Sequence, residues 1–191
     1  MHKHKFNPAH TERLLSEDRA RETPPLDVLK AAGLKHGDCM ADVGCGPGFY
    51  ALPASGAVGP TGKVYAIDTQ DEMLVALKKR NPPQNVITLK SDEGRIPLED
   101  GATDFALLGY MLHEAEDPAN FLKEVRRIMK AGARLCVLDW KRKVEAQGPP
   151  MRERLSKAKA VKLIRDAGFS SIGISSLTRS HFRILARKPK V

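Results

Sequence analysis

The chain's 191 residues, 41% hydrophobic and 29% charged, can bury one sizeable core and are too few for two ordinary domains. Its longest clearly apolar run, Phe105 to Leu112, falls far short of the roughly 20 residues that cross a bilayer, and no apolar stretch follows the polar start Met1-His2-Lys3-His4-Lys5, so neither a membrane span nor a signal peptide is expected. The net charge of +9 is uneven: residues 1–122 hold 13 Lys/Arg against 18 Asp/Glu, while residues 123–191 hold 19 against 5.

Residues 1–24 are polar and lack sustained periodicity, which predicts an N-terminal arm with one short helix, covering the site of a domain that spans 25–191. Pro24-Pro25 opens a helix through about Ala32, closed by Gly33. Strand and helix patterns then alternate. Cys39–Val43 predicts a first strand, followed by a glycine-rich turn, a brief helix near 49–57 and a strand over Lys63–Asp68. Asp71–Arg80 predicts a helix burying Met73, Leu74 and Leu77. Val86–Leu89 and Asp104–Tyr110 follow as strands, the latter apolar enough to be buried on both faces. Asp117 caps a helix begun by Pro118, with Phe121, Leu122, Val125 and Ile128 on one side and Gly132 as its stop. Arg134–Asp139 predicts a fifth strand, Ser156 opens a helix ended by Gly168, and Ser170–Ser175 with Phe182–Ala186 predict a terminal hairpin. Alternation of this kind predicts an α/β fold, a mostly parallel sheet with helices on both faces. The basic connection 141–154 is long enough to carry function.

The informative stretch is Asp42-Val43-Gly44-Cys45-Gly46-Pro47-Gly48-Phe49, which leaves an apolar strand and enters a helix. Alternate glycines let a backbone turn sharply and approach a ligand. A dinucleotide fingerprint requires glycine three residues after its second glycine, but Phe49 stands there, which disfavours a nicotinamide-dependent dehydrogenase. Asp68, twenty residues beyond Gly48 at the end of the second strand, is placed to accept hydrogen bonds from ribose hydroxyls.

The pattern Asp-x-Gly-x-Gly-x-Gly resembles the first motif of class I S-adenosylmethionine-dependent methyltransferases. Ser91-Asp92-Glu93 followed by Ile96-Pro97 is similar to a segment of the ubiquinone/menaquinone-biosynthesis-type branch whose Asp contacts the adenine amino group, a contact that falls on Asp92. Leu108-Gly109-Tyr110 occupies the place where such enzymes line the methionine part. The resemblance runs from about Leu26 to Lys188. It implies a Rossmann-like three-layer sandwich, a seven-stranded mostly parallel sheet with an antiparallel C-terminal strand. It also implies an S-adenosyl-L-methionine site, with S-adenosyl-L-homocysteine as product, formed by Asp42, Gly44, Cys45, Gly46, Gly48, Asp68, Thr69, Met73, Ser91, Asp92, Glu93 and Gly109. Two departures stand out: Pro53 and Gly56 shorten the helix after the glycines, and Lys130-Ala131-Gly132-Ala133 replaces the usual Lys-Pro-Gly-Gly.

Methyl transfer is an in-line displacement at an activated carbon, so the protein must align the acceptor, exclude water and sometimes take a proton. Groups for this belong at the carboxyl ends of the fourth and fifth strands. His113 is the candidate base, its unperturbed pKa of about 6.5 suiting neutral pH, and Asp139 is the second catalytic candidate. Tyr110, His113, Glu114 and Trp140 are candidates for binding the acceptor. Each has a plainer reading: His113 as a packed histidine, Glu114 as a local cap, Trp140 as core. His2, His4 and His10 have no carboxylate or thiol cluster beside them, so no metal is expected.

Three cysteines without paired spacing predict reduced, packed thiols and a cytoplasmic setting. A small-molecule methyl acceptor is the expected partner. Two alternatives stay open: methylation of RNA through the basic last third, and S-adenosylmethionine binding without catalysis. Oligomeric state is undetermined.

Overall fold

The computed structural model describes residue 7 and residues 11–92, 94–145 and 148–190. Two short helices, α1 (Thr11–Leu14) and α2 (Glu17–Glu22), stand where one was expected, and α3 (Pro25–Ala31) follows. The Ser16 hydroxyl caps α2 by accepting from the Arg19 amide at 3.4 Å. Pro25 opens α3, where its missing N–H would have had no partner. The chain continues as β1 (Cys39–Val43), α4 (Ala51–Val58), β2 (Lys63–Asp68), α5 (Asp71–Lys78), β3 (Val86–Lys90) and β4 (Thr103–Gly109). Then come α6 (Pro118–Ile128), β5 (Met129–Trp140), α7 (Lys157–Asp166), β6 (Ser170–Ser176) and β7 (His181–Arg187).

The seven strands lie in the order β3-β2-β1-β4-β5-β7-β6. Strands β1 to β5 run parallel, and β7 is inserted antiparallel between β5 and β6. Two apolar layers follow from the strand alternation. Met40, Phe105, Leu107 and Cys136 face α3, α4 and α5 through Leu29, Ala54, Val58 and Leu77. Ala41, Val43, Leu108 and Val137 face α6 and α7 through Leu122, Val125, Ile128 and Ile164. The result is a three-layer Rossmann-like sandwich. Strand order reverses between β1 and β4, so neighbouring chain segments leave the sheet in opposite directions there, the place where open α/β sheets form a ligand crevice at the carboxyl edge.

Every strand start and end lies within one residue of expectation except the start of β5. Gly132 does not stop α6. The helix ends at Ile128, and Met129 is already extended, with φ −86 and ψ 141. Met129 pairs with Thr103 and Arg134 with Phe105, which leaves 130–133 bulged out of the ladder. Gly132 turns within that bulge at φ +80, its amide donating to Lys188 O at 2.9 Å. Lys130 Nζ lies 2.9 Å from both oxygens of Asp104, and the Thr103 hydroxyl donates to Ile128 O at 3.1 Å. These long-range partners take the backbone that local helix preference would have kept.

Candidate functional site

At the end of β1 the amides of Gly44 and Cys45 both donate to Ile67 O, at 2.8 and 2.9 Å, pinning the turn to β2. Gly44, Gly46 and Gly48 all take left-handed φ, at +73, +53 and +86. A Cβ on Gly44 would come within 2.9 Å of Met111, and one on Gly48 within 2.3 Å of Leu77. The turn is therefore built for bare backbone. Asp68 sits against it: Oδ2 accepts from the Gly46 amide at 2.8 Å and Oδ1 from the Gln70 amide at 2.9 Å. The carboxylate is thus already oriented by two backbone donors, and each oxygen retains a lone pair for a ligand hydroxyl.

Asp42 projects from β1 into the same region. It is 2% exposed, and its Oδ2 has no hydrogen-bond partner. Burial, and next the charge of Asp68, push its carboxyl up to about 7, opposed by the nearby Arg19. A buried carboxylate oxygen without a donor is costly to keep. Its presence under a glycine turn suits a ligand that brings a positively charged hydrogen-bond donor to that oxygen.

The remaining expected cofactor residues fall as follows. Ser91 is buried, and its amide donates to Asp68 O at 3.1 Å. Thr69 is half-buried at the end of β2 and Met73 is buried in α5. Asp92 is exposed in a tight turn, bridged with Arg95 at 3.3 and 3.4 Å. Glu93 lies outside the described residues, as do His2, His4, Phe6 and His10 of the arm. The Cys45 thiol is buried and pushed well up by burial, so it is a packed group rather than a nucleophile. Gly109 ends β4, where a Cβ would approach the Tyr50 ring at 3.2 Å.

Asp42 has a measurable consequence for stability. Its carboxyl stays protonated to higher pH in the folded chain than in the unfolded one. The native state therefore binds the extra proton, and stability falls as pH rises from about 4 to about 7. Asp42→Asn removes that loss. The ligand-free variant is expected to be more stable than the wild type at pH 8, by about 1–3 kcal/mol, with the gap closing toward pH 4. Melting curves across that range check it, and equal melting at pH 8 would refute it.

On the other side of the crevice, Tyr110 adopts φ +62, a strained conformation for a residue with a large side chain, and its amide is fixed to Leu138 O at 2.8 Å. His113 is buried, and its Nδ1 lies 2.7 Å from Asp139 Oδ1. Asp139 Oδ1 also accepts from the Trp140 amide at 2.8 Å, while Oδ2 has no partner. The pairing of a ring nitrogen with a buried carboxylate orients the imidazole and fixes which nitrogen carries the proton. Glu114 approaches His113 Nε2 at 3.8 Å. The structure thus makes two groups at the carboxyl ends of β4 and β5, His113 with Asp139 and Glu114 on one face of the sheet, and Tyr110 with Trp140 on the other, their ring centroids 6.2 Å apart.

His181 joins them unannounced by the sequence. The β5–β7 register sets it opposite Trp140, and its ring packs 4.2 Å from Trp140 and 4.9 Å from Tyr110, centroid to centroid. His181 Nε2 is buried without a hydrogen-bond partner. Burial is the main reason its pKa is lowered, favouring the neutral ring. The arm contributes too. Arg19 lies over Phe49 at 4.2 Å and Tyr110 at 5.1 Å, and Leu14 stands 3.5 Å from where a Gly46 Cβ would be. No local signal marks either residue. Arg19 sits in an unpatterned polar segment, and the strand containing His181 was expected to begin one residue later.

Much of the basic connection 141–154 is spent internally. Arg154 is buried, donating to Pro149 O at 2.8 Å and to Lys141 O and Lys143 O at 3.2 and 3.1 Å, with its guanidinium 4.9 Å from the Trp140 ring. Lys141 Nζ donates to Ser176 Oγ and Thr178 O, and Lys143 pairs with Glu145. Among the described residues no helix is long and apolar enough to cross a membrane, and no group of three or more His, Cys, Asp or Glu side chains converges as a metal site.

Comparison with known proteins agrees with this architecture. Residues 41–137 match a family model described as a methyltransferase domain. An S-adenosylmethionine-dependent methyltransferase from Aquifex aeolicus superposes with a TM-score of 0.91 at 37% identity, over 96% of this chain and 100% of that one. Demethylmenaquinone methyltransferase from Staphylococcus aureus (strain JH9) is 35% identical over 113 residues, 59% of this chain and 47% of that protein. An uncharacterized 37.1 kDa protein in transposon TN4556 of Streptomyces fradiae is 35% identical over 136 residues, 69% of this chain and 39% of that one. The chain spans less than half the length of either of these two curated relatives.

Proposed function

We propose, for a chain that belongs to the class I S-adenosylmethionine-dependent methyltransferases, that it transfers a methyl group to a small-molecule acceptor bound beside Tyr110, Trp140 and His181. The observation that carries this reading is the convergence at one crevice of the glycine turn, the pre-oriented Asp68 and the buried, unpartnered Asp42 oxygen. Bound S-adenosylmethionine supplies a methyl carbon activated for displacement by its positive sulfur.

The chain's own residues do the rest. Asp68 accepts from the ribose hydroxyls, Asp42 balances the ligand's positive charge, and Gly109 leaves room for its methionine part. Tyr110, Trp140 and His181 form an aromatic wall that holds a planar acceptor, and the arm together with the 141–154 connection keeps water out. His113, oriented by Asp139, accepts the proton that an acidic acceptor group must lose. A hydroxylated aromatic acceptor satisfies both the ring wall and the base. The demethylmenaquinone methyltransferase relative, named for a quinone-type substrate, supports that class.

The test is incubation of the purified protein with methyl-labelled S-adenosylmethionine and a panel of acceptors, including reduced quinols, phenols, amines and RNA. Label transfer to a hydroxylated aromatic is the expected result. Transfer to RNA alone would replace this reading with the polyanion alternative. Cofactor binding without transfer to any acceptor would replace it with the non-catalytic one.

A further inference from the structure

The turn before β7 fixes which nitrogen of His181 carries the proton. The Thr178 hydroxyl oxygen accepts from the amides of Ser180 and His181, each at 3.1 Å, and lies 2.9 Å from His181 Nδ1. The two amides occupy both lone pairs of that oxygen, so across the third contact the hydroxyl can only donate. Nδ1 therefore accepts, and the proton of the neutral ring stands on Nε2. Glu22 Oε1, 3.9 Å from Nδ1, is too distant for a hydrogen bond that would draw the proton back. His113 is the reverse case: its Nδ1 faces the Asp139 carboxylate at 2.7 Å, which calls for the proton on that nitrogen.

His181 Nε2–H is thus a donor, and it is buried with no partner among the described residues. A buried N–H without an acceptor is costly to keep. The ring that carries it packs edge-on against two others, 4.2 Å from Trp140 and 4.9 Å from Tyr110, centroid to centroid. Packing alone would be served by a phenyl ring at no such cost. The β5–β7 register instead sets a neutral donor of fixed orientation into the wall proposed to hold the acceptor.

We infer that His181 is a specificity-determining residue whose Nε2–H donates to an oxygen on the methyl acceptor. This rests on the reading of a hydroxylated aromatic acceptor beside Tyr110, Trp140 and His181. It divides the two histidines by role: His113 takes a proton, whereas His181 keeps its own and shares it with an oxygen. Thr178 is a positioning residue that acts through the ring. A carbonyl, hydroxyl or phenolate oxygen fits the donor, and an ammonium or alkyl group in the same place leaves it unpaired. Nε2 is closed to solvent, so the side chains over it part as the acceptor enters.

Calorimetric titration under argon with saturating S-adenosylhomocysteine tests this, using 1,4-dihydroxynaphthalene and naphthalene as probes that share a ring system and differ only in oxygen. The wild type should bind the dihydroxy probe tenfold or more tightly than naphthalene. His181→Phe keeps a ring and removes the donor, and should lose about tenfold for the dihydroxy probe but less than about threefold for naphthalene. Thr178→Val, which frees Nδ1, should fall between. Equal losses for both probes would leave His181 a packing ring and overturn the inference. Nitrogen-15 NMR of the histidine rings reads the tautomer without any acceptor: the proton should sit on Nε2 in the wild type and be shared between the two nitrogens in Thr178→Val. A wild-type proton on Nδ1 also overturns it. Melting curves confirm that each variant is folded. A wild type with protonated Nε2 that binds neither probe would sink the aromatic-acceptor reading, whereas one that binds both and is indifferent to His181→Phe sinks only this inference.

Discussion

Replacing Asp68 with alanine is expected to weaken S-adenosylhomocysteine binding by about 100-fold, because hydrogen bonds to a charged acceptor are worth about 1.5–3 kcal/mol each. The residue acts on two levels. Its Oδ2 holds the Gly46 amide at 2.8 Å and its Oδ1 the Gln70 amide at 2.9 Å, so it fixes the turn as well as offering lone pairs to the ligand. The variant loses both, and part of the affinity loss comes from a turn that no longer holds its shape. Asp68→Asn separates the two contributions. It retains one oxygen, but its amide nitrogen cannot accept, so either the Gly46 or the Gln70 donor is left unpaired while the ribose contact is weakened. Calorimetric titration of both variants, alongside their melting temperatures, checks this. A folded Asp68→Ala protein with wild-type affinity would show that the ligand does not sit at the β2 terminus.

The second large effect is expected at the His113–Asp139 pair. General-base assistance typically contributes 10²- to 10⁴-fold, so His113→Gln should lower kcat by about that factor while leaving S-adenosylhomocysteine affinity within about threefold of wild type. Asp139→Asn keeps the volume of a side chain that is fully buried and bonded to both His113 Nδ1 and the Trp140 amide. It should lower kcat through mis-orientation of the ring, not through lost binding. The pH profile tells a proton-accepting role from a packing role. If His113 takes the proton, the acidic limb of the kcat profile disappears in His113→Gln. If the pair only packs the loop after β4 against β5, the variants melt earlier and the profile keeps its shape. The latter outcome would reduce the dyad to a brace.

The sequence signals that proved most readable were those written in contiguous residues. The glycine turn, the apolar strands on either side of it and the carboxylate ending β2 are all set by short-range pattern, and the structure places Asp42, Gly46 and Asp68 together at one edge. The end of α6 was not readable. Ile128 and Met129 continue the helical apolar stripe, and only the pairing of Met129 with Thr103 and the Lys130–Asp104 contact pull the chain out of the helix early. Arg19 and His181 were hidden for a related reason. Each owes its place to packing across the sheet edge: Arg19 to rings supplied by residues 49 and 110, His181 to its register opposite Trp140. A single arginine in a polar arm and a single histidine before a strand carry no periodic signal.

The antiparallel insertion of β7 between β5 and β6 bears on how the molecule matures. His181 reaches Trp140 only after the chain has doubled back past a neighbour made earlier, so the wall proposed for the acceptor waits on the last strand to leave synthesis. Synthesis from the N-terminal end completes β1, the glycine turn and β2 long before β7 exists, so a nascent chain carries the residues proposed to hold the donor before it has the ring proposed to complete the acceptor wall.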